Sequence, residues 1–301
     1  MSLARRLLNP WLRRVEKRRL RNGSPETLRK ALEVQARLFF HPPFGTSRHW
    51  TSFGNVPCLT LNSRSETANR VLFYIHGGGF VFGSPNTHSA MAANLAHRLG
   101  ARAIMPKYRL APEAAFPAAP QDVRDAWDGL LASGVDPASV VIGGDSAGGA
   151  LAFGLVSTLC EESAPLPGAV FGFSPLTDLT YSGESFERNA ESDVVLPAER
   201  AAELAEMLLQ GHAGNTPSVS PLFGTFKDAP PAWITVGDTE ILLDDARRLA
   251  ARLEEYNGTV DLVIEKDLPH VWPIFHNILP EGRKTLDALA FWIRQQQNWE
   301  A

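Results

Sequence analysis

Cysteine is scarce in this sequence: Cys58 and Cys160 are the only two in 301 residues. Two thiols without metal-ligand spacing exclude a disulfide framework and a thiolate metal site, and they suit a reducing compartment. No apolar run reaches about 18 residues, so no segment reads as a membrane-spanning helix. The start of the chain also lacks the apolar core and small-residue cleavage site of a secretion signal. Internal repeats and low-complexity tracts are missing as well, because glycine and proline punctuate periodic segments here instead of forming tracts. Histidines and carboxylates never cluster with ligand spacing, which leaves no metal site to propose. A soluble cytoplasmic protein is the expectation.

Charge is balanced overall, at −4, but unevenly spread. Residues 1–21 carry eight Arg and Lys against the single acid Glu16, a local +7 that leaves −11 on the rest. A basic amphipathic start of this kind suits a membrane surface, nucleic acid or the protein's own body. Leu7, Leu8, Trp11, Leu12 and Val15 form a stripe that is expected to lie on the protein itself. Neither nucleic-acid binding nor stable membrane insertion is expected.

Strand-like apolar segments at 71–75, 103–106, 140–143, 169–173, 233–237 and 260–264 alternate with helical patterns at 88–99, 121–132, 147–160, 244–256 and 282–297. This rhythm predicts an α/β architecture: a mainly parallel sheet with helices on both faces. Residues 178–220 interrupt it with one clear helix at 197–210, begun by Pro197 and followed by Gly211. In open α/β sheets ligands bind beyond the carboxyl ends of the strands, so the residues just after each strand are the informative ones.

Strand 140–143 runs into Gly144-Asp145-Ser146-Ala147-Gly148, a G-x-S-x-G turn that exposes a serine between strand and helix. Alone, the turn equally suits a glycine-rich phosphate cradle. Strand 71–75 is followed by His76-Gly77-Gly78-Gly79-Phe80, whose bare backbone suits amides aimed at a developing oxyanion. His76 itself reads as a support for that loop. Strand 233–237 is followed by Asp238, Thr239 and Glu240, and strand 260–264 by a turn leading to His270 between Pro269 and Val271. The order serine, acid, histidine is that of α/β hydrolases, in which imidazole takes the serine proton and the acid fixes the imidazole tautomer. His41, His49, His88, His97, His212 and His276 have no such placement.

HGGGF at 76–80, YRLAPE at 108–113, FPAAPQD at 116–122, GDSAGG at 144–149 and PHVW at 269–272 together resemble the hormone-sensitive-lipase group of esterases. The resemblance runs from about residue 71 to the C-terminal helix. It implies an α/β-hydrolase core with a helical cap: N-terminal cap helices over 1–45, core over 46–177, a cap insertion over 178–220 after the sixth strand, and core again over 221–301. It further implies hydrolysis of small-molecule carboxylic esters with short to medium acyl chains, without a cofactor, and a possible homodimer through the edge strand at 260–264. Carried over by position, Ser146 is the nucleophile, His270 the base, and the N–H groups of Gly77, Gly78 and Ala147 the oxyanion hole. Most relatives have an aspartate as the third member, at the first position of D-P-L-x-D-[DE]. Here that register holds Glu240, in EILLDD, while Asp238 lies two residues early. Glu240 is therefore taken as the acid.

Tyr108, Arg109 and Glu113 are expected to brace the loop beneath the catalytic strand ends, Asp145 the serine turn, and Asp244 the acid loop. Phe39, Phe40, Phe44 and Phe186 either line an acyl pocket or anchor cap helices. Lactones and amides are open to the same machinery, and related receptors on this fold lack the histidine that is present here.

Overall fold

The computed structural model describes residues 2–63, 67, 69–256 and 258–299. Its eight strands are β1 (Ser47–Phe53), β2 (Val56–Asn62), β3 (Val71–Ile75), β4 (Arg102–Pro106), β5 (Val140–Asp145), β6 (Ala169–Phe173), β7 (Ala232–Gly237) and β8 (Val260–Glu265). They form one sheet in the order β1-β2-β4-β3-β5-β6-β7-β8, antiparallel at the β1–β2 and β2–β4 pairs and parallel across the rest. Every residue of β3, β5, β6 and β7 is buried, as continuous apolar strands covered on both faces must be.

The chain begins with α1 (Leu3–Trp11), which passes through a π-turn (Leu12–Glu16) into α2 (Lys17–Asn22), followed by α3 (Pro25–Phe39). The later helices are α4 (Pro85–Leu99), α5 (Ala118–Ala132), α6 (Ala147–Glu162), α7 (Glu184–Arg188), α8 (Ala201–Leu209), α9 (Leu243–Glu255) and α10 (Pro280–Gln297). Apolar faces of α5, α6 and α9 share one core with one side of the sheet, and those of α4 and α10 share a second core with the other. The helix after the serine turn, α6, is buried nearly all round, which is why its pattern is apolar without a polar stripe.

Several boundaries move outward for identifiable reasons. Helix α4 begins at Pro85, earlier than the apolar periodicity suggests, because Ser84 and Thr87 form a reciprocal cap and proline suits the first turn. The β1–β2 hairpin has no counterpart among the sequence-predicted strands. Its two-residue turn, Gly54-Asn55, has Gly54 at φ 57°, but β1 is largely exposed and so carries no apolar alternation. Within 178–220 the structure adds the short helix α7, and the helix predicted at 197–210 begins with a 3₁₀ turn (Ala198–Arg200) before α8.

The N-terminal stripe needs correction. Leu8 and Leu12 are buried, but Leu7, Trp11 and Val15 are exposed. The buried row of the first two helices includes Arg5 and Lys17 instead, and these cations donate to main-chain carbonyls, Arg5 also pairing with Asp267. Arg5 Nη1 donates to Lys266 O at 2.6 Å, and Lys17 Nζ to Ala190 O and Asp193 O, each at 2.7 Å. Arg13 reaches Glu191 O and Ser192 O, and Asn9 reaches Asp267 O. From the opposite side, Arg200 donates to Leu20 O, Arg21 O and Gly23 O. Periodicity of apolar residues cannot reveal a seam built on cations and carbonyls.

Candidate active site

Ser146 follows the last residue of β5 and precedes the first residue of α6, at φ 51° and ψ −120°. That backbone is strained for a residue with a side chain. It is held by the Ser146 N–H bond to Phe173 O at 3.0 Å and by Leu176 N–H donating to Ser146 O at 3.0 Å. Close packing around the turn leaves no room beside Gly148, where a Cβ would drive into the carbonyl oxygens of Ile75 and His76. Gly148→Ala is expected to cost about 3 kcal/mol through overpacking against backbone, read as a lowered thermal unfolding midpoint.

His270 and Glu240 come from the loops after β8 and β7. Glu240 Oε2 lies 2.7 Å from His270 Nδ1, while its Oε1 accepts from Gly237 N–H at 2.6 Å and Ser174 Oγ at 2.8 Å. Ser174 in turn accepts from Val271 N–H at 3.2 Å, tying the acid loop to the histidine loop through one hydroxyl. Both Ser174 and the β-branched Val271 sit at positive φ, 46° and 52°, so strain gathers on the residues flanking His270 and Ser146. Asp238 points elsewhere: its Oδ1 accepts from Asp267 N–H at 2.6 Å, bracing the approach to His270. The residue opposite His270 is thus Glu240.

Burial opposes charge on the His270 imidazole, yet Glu240 beside it, with Asp193 and Asp145 farther off, raises its pKa above the ordinary value of 6.5. Burial also pushes the Glu240 carboxyl up, against the lowering effect of its bonds to His270 and Gly237. The insertion steadies this acid. Asn189 Nδ2 donates to Glu240 O at 2.8 Å, and Ile241 N–H donates to Asp193 Oδ2 at 3.0 Å.

The glycine loop corrects one expectation. Gly77 N–H donates to Asp145 Oδ1 at 3.1 Å, so it is already committed and cannot also face an oxyanion. Gly78 and Gly79, at φ 119° and 58°, line the cavity that Ser146 lines, and Gly77 does not. Any residue at these dihedrals must be glycine or accept strain. Ala147, fully buried, opens α6 immediately after the serine.

Asp145 is the hub beneath this loop. Its Oδ1 also accepts from Tyr74 Oη at 2.6 Å, and its Oδ2 lies 3.3 Å from His88 Nε2. His88 is therefore a buried partner of Asp145 at the cavity wall, correcting its reading as a histidine without placement. Burial works against the His88 charge, but Asp145 outweighs it and raises the pKa. His76 is the reverse: burial and the neighbouring His88 push it down to about 3. The neutral His76 ring stacks on Tyr108 at 4.3 Å, with Nδ1 2.9 Å from Gly77 O. Tyr108 Oη donates to His76 O at 2.8 Å and so braces the loop. Arg109 pairs with Asp122, and Glu113 is exposed and pairs with Arg29 of α3, which also donates to Val81 O just beyond the glycine loop and to Ala111 O, each at 2.8 Å. Asp244 bonds Ser185 N–H at 2.8 Å, joining α7 to the start of α9.

Ser146, His270, Gly78 and Gly79 open into a cavity of about 400 Å³. Its walls are mostly apolar and are drawn from α1, α3, the insertion and the C-terminal loop, including Leu12, Leu32, Leu204, Leu179 and Phe275. Phe39 and Phe40 line it, whereas Phe186 stacks on Tyr181 at 4.8 Å and Phe44 is 92% exposed. Phe39 and Phe40 therefore follow the pocket reading and Phe186 the anchoring one.

A family model described as an alpha/beta hydrolase fold matches residues 72–274. An acetyl-hydrolase of Streptomyces hygroscopicus is 35% identical over 225 residues, 75% of each chain. An esterase of Acinetobacter venetianus is 32% identical over 276 residues, 89% of this chain and 88% of its own. A crystal structure of an esterase from the bacterial hormone-sensitive lipase family superimposes with a TM-score of 0.93 at 33% identity, covering 99% of both chains.

Proposed function

Because the chain belongs to the α/β-hydrolase family and, within it, to the esterases related to hormone-sensitive lipase, we propose that it hydrolyses carboxylic esters at Ser146 by acyl transfer. The observation that carries the reading is one cavity lined by both Ser146 and His270, with Glu240 Oε2 2.7 Å behind the imidazole.

In this reading the Ser146 hydroxyl attacks the ester carbonyl as His270 Nε2 takes its proton. Glu240 holds Nδ1–H, fixing the tautomer and stabilising the imidazolium that forms. Negative charge on the carbonyl oxygen is met by the N–H groups of Gly78, Gly79 and Ala147, in place of the set containing Gly77, whose N–H serves Asp145. The alkoxide leaves with the proton from His270. Water, deprotonated by the same imidazole, then attacks the acyl-enzyme and releases acid and free serine. We assign the helices of residues 1–45 and 178–220 the role of a cap that selects the acyl chain, since both contribute cavity wall.

A cavity of about 400 Å³ is near the lower end for ligand sites, so short and medium acyl chains fit best. Assaying p-nitrophenyl esters from acetate to palmitate is expected to give highest kcat/KM among the short and medium chains and little turnover of palmitate. Silence on the whole series would sink the ester reading.

A further inference from the structure

The first helix carries two rows of side chains. One row is buried and bonded to the insertion. The other, Leu3, Leu7 and Trp11, is spaced four apart, continues to Val15 in the π-turn and faces solvent, with Leu3 and Leu7 71% and 68% exposed. At Trp11 this row reaches the cavity, which Trp11 lines together with Phe39 and Ile278, both also exposed. Single exposed leucines are ordinary on a protein surface, but an apolar row ending at the rim of a substrate cavity is not.

The cations around the row differ from those in the seam. Arg5, Arg13 and Lys17 bond main-chain carbonyls, Arg19 pairs with Glu16, and Arg21 with Glu199. Arg6, Arg14 and Arg18 are exposed and have no partner in an ion pair among the described residues. A helix with leucine and tryptophan on its outer face, and arginines beside them, has the composition of one that lies in a lipid interface. Among the described residues no helix is long and apolar enough to cross a membrane, so the contact would be in the plane of the surface.

We propose that this face docks the protein on an anionic lipid surface and holds the cavity mouth against it, so that apolar esters dissolved there enter directly. Charge complementarity selects the occupant. The +7 of residues 1–21 against −11 on the remainder orients the molecule with this end toward negative charge. A second copy docked symmetrically would bring each row of arginines against its own equivalent, which repels. A polyphosphate backbone would satisfy the arginines but leave the leucine row in water.

The test is co-sedimentation of the full chain with vesicles of equimolar phosphatidylglycerol and phosphatidylcholine, or of phosphatidylcholine alone. Wild type is expected to bind the anionic vesicles, to ignore the neutral ones, and to be released in about 1 M salt, where the screening length falls to about 3 Å. Arg6→Glu with Arg14→Glu and Arg18→Glu is expected to weaken binding at least about 100-fold, from about fivefold per lost cation. Leu3→Ser with Leu7→Ser is expected to weaken it about tenfold or more. Both variants should hydrolyse a soluble short ester as wild type does, since none of the five positions lines the cavity. Ser146→Ala should bind vesicles like wild type, which keeps the docking result independent of the ester reading. Equal binding to neutral vesicles, undiminished binding by the arginine variant, or a change of oligomeric state in the leucine variant with lipid binding intact would each overturn the proposal.

Discussion

Ser146→Ala is expected to lower kcat for a short ester on the order of 10⁶-fold, the loss typical when a triad nucleophile is removed. A residual rate above the uncatalysed one should persist, because cavity and oxyanion donors still bind and polarise the ester. KM should change little, since the side chain removed is one hydroxyl at the floor of an intact cavity. The fold should also survive: the bonds that hold Ser146 are its N–H to Phe173 O and its carbonyl to Leu176 N–H, and alanine keeps both. Steady-state kinetics beside a thermal unfolding curve separates the two effects. A variant with unchanged unfolding and near wild-type turnover would remove Ser146 from the chemistry.

Glu240→Gln is expected to lower kcat about 10⁴-fold, as replacing the triad acid by its amide does when geometry is kept. The amide no longer stabilises imidazolium, and it leaves Gly237 N–H and the Ser174 hydroxyl without an anionic acceptor. The pH profile should move in a definite direction. The proposed mechanism requires neutral His270, whose pKa is raised because Glu240, with smaller help from Asp193 and Asp145, outweighs burial. In wild type, kcat/KM should therefore fall as pH drops through a value above 6.5. Removing the Glu240 charge leaves burial to dominate, so the acid limb of the variant should lie at lower pH. Asp238→Asn keeps an oxygen to accept from Asp267 N–H and is expected to change activity little. If the two variants exchanged these outcomes, Asp238 would be the acid.

Much of this arrangement is legible before any coordinates, because the chemistry sits at strand ends and strands buried on both sides are plain apolar runs. Ser146 and Glu240 follow such runs, His270 follows the partly exposed edge strand β8, and register alone separates Glu240 from Asp238. The glycine loop is harder. Three consecutive glycines share one composition, and only the Gly77 bond to Asp145 decides which amides are committed. His88 is hidden for a related reason: it lies within a helix, 12 residues beyond His76 in sequence, and meets Asp145 only after β3 and β5 pair. Strand β1 escapes because exposure removes the alternation that would mark it.

The seam between the first helices and the insertion rests on side chains that donate to main-chain carbonyls at residues 190–193 and 20–23. Every residue type supplies such an oxygen. Substitutions along those acceptor segments therefore leave the fastening in place so long as the backbone path is kept. Changes in the wall of the cavity are then separable from the attachment of that wall: side chains that face the cavity can be exchanged while Arg13, Lys17 and Arg200 go on fastening the segments that carry them.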